Sequence, residues 1–153
     1  MSEERLPFLA EAENSLPDAQ LEVLRIQFNA EGPDASVQTK FDLAWGLIRS
    51  RNKIDIQEGI RMLHDIYVQQ PERRRECQYY IALGNYKLGK YTEARVMNSY
   101  LLELEPQNPQ ALALKNLIEN KVSRDGLVGM MMVGSVIAAI GVGAAYLFRG
   151  NKN

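Results

Sequence analysis

The chain has 153 residues and a formal net charge of −1, and this length suggests one domain with an accessory segment. The near-neutral charge excludes nucleic acid as the main partner, because a phosphate-binding surface needs a strong positive field. Cys77 is the single cysteine and cannot form an intramolecular disulfide. Residues 1–10 contain no long apolar core like that of a secretory signal. These features favour a domain that faces the reducing cytosol.

The first segment, residues 1–17, has two prolines and few regularly spaced apolar positions. It is predicted to be an N-terminal arm rather than a core element. The arm carries one small apolar cluster, which consists of Leu6, Pro7, Phe8 and Leu9.

Residues 18–122 are predicted to form a helical domain, because apolar residues recur there at helical spacing without sustained two-residue alternation. The first of six helices begins near Gln20 and ends at Gly32-Pro33. Asp55 and Glu58 have the spacing of a capping box at the start of the third helix. Asn108-Pro109 has the order of an N-cap and a first helical residue, and it opens the sixth helix. The other boundaries are a second helix over about 36–50, a third that ends at Pro71, a fourth over about 72–88 and a fifth that ends at Pro106.

The helices repeat in pairs with a period of about 35 residues, which is typical of tetratricopeptide units. Residues 59–71 correspond to residues 94–106, and both segments end at a proline. The first unit departs from the tetratricopeptide pattern because Gly59 replaces the usual alanine. The second unit resembles that family through Tyr91, Ala94, Leu101, Leu104 and Pro106.

A second apolar stripe remains on the first helix of each unit after the core positions are assigned. This helix lines the concave side of a tetratricopeptide stack, so the stripe predicts a partner-binding groove with charged edges. The alternative is that the stripe packs under the first helix or under the arm. Both interpretations hold if the arm cluster covers the groove until a partner displaces it. The predicted groove residues are Leu43, Leu47, Tyr79, Leu83 and Tyr86, with Glu76 and Lys87 as the edges.

Residues 127–148 are 22 consecutive residues without a charge. As a helix they span about 33 Å, against about 30 Å for the hydrocarbon core of a bilayer. They are therefore predicted to be a transmembrane tail anchor, followed by a short basic tail at residues 149–153. This order leaves the larger N-terminal part in the cytosol. The moderate hydrophobicity and basic flanks favour the mitochondrial outer membrane, and peroxisomes stay open. The predicted fold is all-α, a six-helix tetratricopeptide-like bundle with one C-terminal transmembrane helix.

No pattern in the sequence indicates catalysis, a metal site or a cofactor. His64 is the single histidine, and it has no neighbouring ligands, whereas a metal site needs three or four. Cys77 lies on a core stripe and is interpreted as a packed small residue rather than a nucleophile. The basic run of residues 73–75 at a helix start is interpreted as a solvated face.

The total arrangement resembles the mitochondrial fission 1 family, in its fungal branch. The resemblance rests on the run from Phe41 to Ser50, on residues 74–89 and on Asp125 to Gly129 at the start of the apolar segment. It implies a receptor in the outer mitochondrial membrane, and also on peroxisomes, that recruits a dynamin-related GTPase through a WD-repeat adaptor. It further implies that Glu76, Leu83 and Tyr86 bind the adaptor and that the arm covers the groove.

One other function remains open at the level of the sequence. A tail-anchored tetratricopeptide protein can also be a receptor for protein import or for chaperones. Chaperone-binding domains of this type clamp a carboxylate with Lys, Arg and Asn, whereas Leu43, Leu47, Tyr79 and Leu83 stand at the corresponding positions here. These residues predict an apolar helical partner. Self-association into a homo-oligomer is also left open.

Overall fold

The structure is a computed structural model, and it describes residues 5–124. Every regular element in that range is helical, as predicted, and no strand occurs among the described residues. The segment 127–148 and the basic tail lie outside the described residues. None of the helices in the described range combines the length and the apolar composition needed to cross a membrane.

The described chain contains seven α-helices and two short 3₁₀ helices. The 3₁₀ helices are Gly32–Asp34 and Pro71–Arg73, and each contains a proline that interrupts the helical pattern. The described residues up to Ile118 belong to one compact unit, and the description below concerns that unit. The helices are α1 (Leu9–Glu13), α2 (Asp18–Glu31), α3 (Val37–Ile48), α4 (Lys53–Gln69), α5 (Arg74–Lys87), α6 (Tyr91–Leu104) and α7, which covers residues 109–124.

Side-chain caps explain where three of these helices begin. Ser36 accepts from the Thr39 N–H at the start of α3, and Asn52 accepts from the Ile54 N–H at the start of α4. The Asn108 side chain accepts from the Ala111 N–H at 3.0 Å, which confirms the predicted N-cap. Each cap satisfies a backbone donor that the helix itself leaves unpaired.

The predicted capping box of the third helix is wrong. Asp55 and Glu58 lie inside α4, which begins two residues earlier than Asp55, at Lys53. Both carboxylates instead bind the Arg25 guanidinium of α2, at 2.9 Å and 3.3 Å. The two acidic residues therefore join α2 to α4, a role that their spacing alone does not reveal.

Gly59 explains why the first repeat unit departs from the usual alanine. A Cβ built on Gly59 would lie 2.8 Å from the Ala44 carbonyl oxygen and 3.2 Å from the Ile48 nitrogen. Both atoms belong to the backbone of α3, which cannot yield as a flexible side chain does. The close approach of α3 and α4 therefore requires glycine at this position.

The prediction that the arm contains no core element is wrong. Its apolar residues Leu6, Leu9 and Ala12 are buried, and α1 packs against α5. Glu11 fixes the start of α1, because its carboxylate accepts from the Phe8 N–H at 2.7 Å. A helix of five residues is shorter than two turns, so it carries no periodic signal that the sequence could show.

Candidate partner-binding groove

One face of α5 carries most of the predicted groove residues. Tyr79 and Leu83 are fully buried, and Tyr86 and Lys87 are half-buried. Positions 79, 83 and 87 are four residues apart, so they lie on one side of the helix, and Tyr86 borders them. These four residues are called the α5 stripe below.

Tyr79 binds the arm through its hydroxyl group. The phenol donates to the Pro7 carbonyl oxygen at 2.6 Å, and this hydrogen bond is buried. Burial raises the pKa of the Tyr79 phenol well above its ordinary value. The hydroxyl group therefore stays protonated and remains a donor throughout the physiological pH range.

Lys87 binds the arm at the other end of the stripe. Its ammonium group donates to the carbonyl oxygens of Ala12 at 2.9 Å, Ile48 at 2.6 Å and Ser50 at 2.9 Å. An ammonium has three N–H donors, so these three acceptors use all of them. Two of the acceptors lie at the C-terminal end of α3, where carbonyl groups have no partner within the helix and attract positive charge.

The environment of Lys87 disfavours the charged form of its side chain. The pKa of the Lys87 ammonium is lowered to about 8, mainly by burial and also by the nearby Arg49 charge, whereas Glu13 opposes the shift. Glu13 belongs to α1, so the arm contributes a carboxylate as well as a carbonyl group to this end of the stripe.

The segment after α1 is held by the residues that follow α3. Arg49 donates from Nε to the Asn14 carbonyl oxygen at 2.8 Å, and Arg51 donates from Nε to the Ser15 hydroxyl oxygen at 3.2 Å. Leu16 then contacts α3, because a Cβ built on Gly46 would lie 3.2 Å from its Cδ1 atom. The arm is thus attached to the domain from Pro7 to Leu16.

The α3 residues of the predicted groove are covered by α2 rather than by the arm. Leu43 and Leu47 are buried in a cluster with Leu21 of α2, and three partly buried residues pack against it: Leu24, Phe28 and Met62. In this structure α2 covers these two leucines, which is the alternative that the sequence left open. Their role in partner binding stays a prediction.

Tyr86 of the α5 stripe and two other predicted residues, Glu76 and Phe8, each contact a neighbouring side chain. The Tyr86 ring contacts the Tyr91 ring at a centroid distance of 5.3 Å. The Glu76 carboxylate binds Arg73, the residue directly before α5, at 2.8 Å. Phe8 is 36% exposed, and the Arg5 guanidinium lies 5.6 Å from its ring. Of the arm cluster, therefore, Leu6, Pro7 and Leu9 are buried and Phe8 is not.

The site also uses residues that the sequence did not indicate. Ala12, Arg49 and Arg51 each take part in a hydrogen bond that joins the arm to the domain. A basic pair directly after a helix of the repeat is the only signal that points to the two arginines. The carbonyl acceptors carry no signal, because every residue has a carbonyl group.

The prediction that the basic run at the start of α5 is a solvated face is wrong. Arg73 donates to Gln38 at 2.7 Å and lies 5.0 Å from the Phe41 ring. Arg74 donates to the Tyr67 carbonyl oxygen at 2.9 Å, and Arg75 binds Glu105. These contacts link α5 to α3, to α4 and to the segment that follows α6.

The remaining sequence candidates carry no chemistry of their own in the described residues. Cys77 is fully buried, as predicted for a packed small residue, and burial raises the pKa of its thiol to about 12. A neutral thiol is a poor nucleophile. His64 is exposed. Residues 5–124 contain no group of three or more His, Cys, Asp or Glu that could hold a metal ion.

Comparison with known proteins gives matches over nearly the whole chain. The family model "Fis1 N-terminal tetratricopeptide repeat" matches residues 38–70, and "Fis1 C-terminal tetratricopeptide repeat" matches residues 75–127. The mitochondrial fission 1 protein of Gibberella zeae is 51% identical over 144 residues, which are 94% of this chain and 94% of that protein. The two models confirm the predicted pair of tetratricopeptide-like units.

Two crystal structures of yeast Fis1 have the same fold. The first, in complex with an Mdv1 fragment that contains an N-terminal extension and coiled coil domains, has a TM-score of 0.76 at 43% identity. It covers 78% of this chain and 95% of that chain. The second, complexed with a fragment of yeast Caf4, has a TM-score of 0.58 at 45% identity and covers 60% of this chain and 95% of that chain.

Proposed function

Because the chain belongs to the mitochondrial fission 1 protein family, we propose that it is the receptor that recruits the division machinery to the mitochondrial surface. The family acts in mitochondrial fission as adaptors with a tetratricopeptide-like fold, and it is not a family of enzymes. The recruiting element is the concave groove, and its core is the α5 stripe. The dynamin-related GTPase arrives there through an adaptor of the WD-repeat type.

The contact between the arm and the α5 stripe is the observation that carries this proposal. A short helix with buried Leu9 and Ala12, preceded by buried Leu6, already lies on the face that a partner is predicted to use. The face therefore has the dimensions and the donors to hold a short apolar helix. The arm acts as an internal occupant that restrains access, and a partner helix competes with it for Tyr79, Leu83 and Lys87.

The yeast complexes support an adaptor as the partner. Yeast Fis1 is seen with fragments of Mdv1 and Caf4, and the chain shares over 40% identity with those Fis1 chains. We extend this to an adaptor of the same kind for the present chain. Residues 127–148 anchor it in the outer membrane with the N-terminus in the cytosol, and the same anchor serves on peroxisomes.

The proposed recruitment is tested in cells that express the chain with Leu83 and Tyr86 both changed to serine. Mitochondrial shape and precursor import are scored together. The expected result is fused, net-like mitochondria with normal import. Matched controls are Val68→Ser and Leu104→Ser, which also remove apolar side chains but at exposed positions away from the stripe, 70% and 71% exposed. Normal shape with an import defect would instead favour the import receptor.

Because Leu83 is fully buried, the double variant needs a check on folding. Tyr86→Ser alone changes a half-buried side chain, and its thermal unfolding is compared with that of the unchanged chain. A net-like phenotype in this single variant at unchanged stability supports the groove. A phenotype that appears only when the unfolding temperature falls contradicts it.

The restraining role of the arm is tested by deleting residues 1–16 and measuring binding of the yeast Mdv1 fragment as the probe. Removal of the competing segment is expected to strengthen binding. Weaker binding would show that arm residues belong to the partner surface, and it would overturn the competition.

A further inference from the structure

The segment between α1 and α2 is held by two arginines at a serine. Ser15 is half-exposed and lies outside the helices, and its hydroxyl oxygen accepts from Arg51 at 3.2 Å. Arg49 binds the carbonyl oxygen of the preceding residue, Asn14, at 2.8 Å. Two guanidinium groups from the end of α3 thus converge on two consecutive residues of the arm.

The space beside Ser15 is open. A pocket of about 560 Å³ lies at this junction. Its lining includes Ser15, Asp18, Arg51, Asn52 and Asp55. The rest of the lining includes the apolar residues Leu16, Pro17 and Leu21. A group added to the Ser15 hydroxyl would therefore enter an open pocket with both polar and apolar walls.

The sequence around Ser15 is acidic. Glu11 and Glu13 precede it, and Asp18 follows three residues later. Kinases with a basic substrate-binding groove select a serine by acidic residues of this kind at its flanks. The position is also in a non-helical segment at the surface, where modifying enzymes gain access most readily.

We propose that Ser15 is a phosphorylation site and that its phosphate locks the arm onto the domain. In the reaction, a bond forms between the Ser15 hydroxyl oxygen and the γ-phosphorus of ATP. The bond from that phosphorus to ADP breaks, and the hydroxyl proton is lost to solvent or to the kinase base. The product places up to two negative charges and three acceptor oxygens opposite Arg51 and Arg49.

The balance of charges at the site favours closure. Asp55, which lines the same pocket, is already bound to Arg25 at 2.9 Å and to the Ser50 hydroxyl at 2.7 Å. Glu13 and Asp18 oppose a new negative charge, but neither is held in contact with the Ser15 side chain by a described hydrogen bond. The phosphate replaces one neutral acceptor with charge-assisted hydrogen bonds to guanidinium groups, which are about twice as strong.

The expected consequence is a tighter arm. Ser15 lies three residues beyond Ala12, the residue whose carbonyl binds Lys87, so fixing Ser15 also favours that contact. The lock on the arm follows from this geometry alone. Its effect on partner binding rests on the proposed function, under which a locked arm weakens recruitment.

The test uses the full chain in detergent micelles, treated with ATP and an acid-directed serine kinase of the casein kinase 2 type. Mass spectrometry locates the phosphate, and hydrogen exchange measures protection of the amides of residues 9–14. We expect phosphate on Ser15 and slower exchange of these amides by about 5- to 10-fold, because one neutral hydrogen bond is replaced by a charge-assisted one.

Three controls make the result specific. Ser15→Ala must lose the phosphate, and Ser99→Ala, which changes an exposed serine of α6, must keep it. Arg51→Gln must accept the phosphate without the added protection. A phosphate located only on other residues, or unchanged or faster exchange in phosphorylated Ser15 chains, overturns the proposal.

Binding of the Mdv1 fragment is then measured on the same phosphorylated chains. Weaker binding with slower exchange supports both the lock and the proposed function. Slower exchange with unchanged binding keeps the lock and counts against the arm as a competitor of the partner.

Discussion

Two apolar stripes on equivalent helices of the repeats are covered in different ways. On α3, Leu43 and Leu47 are covered by α2, a 14-residue helix that packs Leu21 into the same cluster. On α5, the stripe is covered by α1, which has five residues. Helices this short are not stable alone in water, so α1 depends on its contacts with α5.

The two contacts also differ in the kinds of interaction that hold them. The α2 contact combines an apolar cluster with ion pairs from Arg25 to Asp55 and Glu58. The arm contact combines buried Leu6, Leu9 and Ala12 with hydrogen bonds from Tyr79 and Lys87 to backbone carbonyl groups, and water can replace these hydrogen bonds in an open form. Under the proposed function, the repeat thus has one stripe that belongs to the permanent core and one whose cover a partner displaces.

The largest expected effect is a loss of stability when the contact between α2 and α3 is changed. Leu47→Ala empties space in a fully buried position and is expected to lower the free energy of unfolding by about 2–5 kcal/mol. Deletion of residues 1–16 is expected to lower it by less than about 2 kcal/mol, because the ordering entropy of the arm offsets most of its apolar burial. Urea unfolding followed by circular dichroism measures both.

The ranking of these two variants decides the comparison. If the deletion destabilises the domain more than Leu47→Ala does, the arm is a structural element and its cover is not exchangeable. Val68→Ala on the exposed face of α4 serves as the control, and a near-zero change is expected there because its side chain is 70% exposed.

A smaller effect is expected from Tyr79→Phe, which removes one hydroxyl group and keeps the ring. The loss of the 2.6 Å hydrogen bond to Pro7 is expected to cost about 0.5–1.5 kcal/mol of arm closure. Hydrogen exchange of residues 9–13 should accelerate by about 2- to 10-fold, while α3 keeps its protection. Tyr67→Phe is the matched control, since that hydroxyl faces Gln78 at 3.4 Å; equal acceleration in both variants would contradict the role of Tyr79.

The sequence predicted the helices of the repeat and not the way in which they are covered. Periodicity over three or more turns identifies a helix such as α4, with 17 residues. The same pattern cannot tell Leu47 from Leu83, because both are apolar residues on the second face of equivalent helices. Which element covers each one depends on the path of the chain before the repeat.

Other contacts of the site could not be predicted from the sequence for a similar reason. Arg25 and Asp55 are 30 residues apart, and nothing local indicates that they meet. Lys87 was predicted as a charged edge of the groove, but its three acceptors are backbone carbonyls and have no residue-specific signature. Contacts made by the backbone and by distant charges are therefore the features that needed the structure.

The smallest expected effect is a dependence of arm closure on pH. The pKa of Lys87 is about 8 in the closed structure, below its ordinary 10.5, and burial is the main cause. In the open form the ammonium is better solvated, so its pKa is nearer to the ordinary value. Closure then releases a proton, and the closed form is favoured as pH rises through about 8.

The size of this effect is limited because Lys87 is only half-buried. Between pH 7 and pH 9 closure is expected to strengthen a few-fold and by at most about 10-fold. The methyl NMR signals of Leu6 and Leu9 report closure, and the Lys87 pKa is titrated by NMR in the intact chain and after deletion of residues 1–16. The deletion should raise that pKa, and Lys87→Met should remove the pH dependence of closure. A Lys87 pKa that does not move on deletion would mean that the ends of α3 and α5 alone bury the ammonium, and the arm would then have no part in its titration.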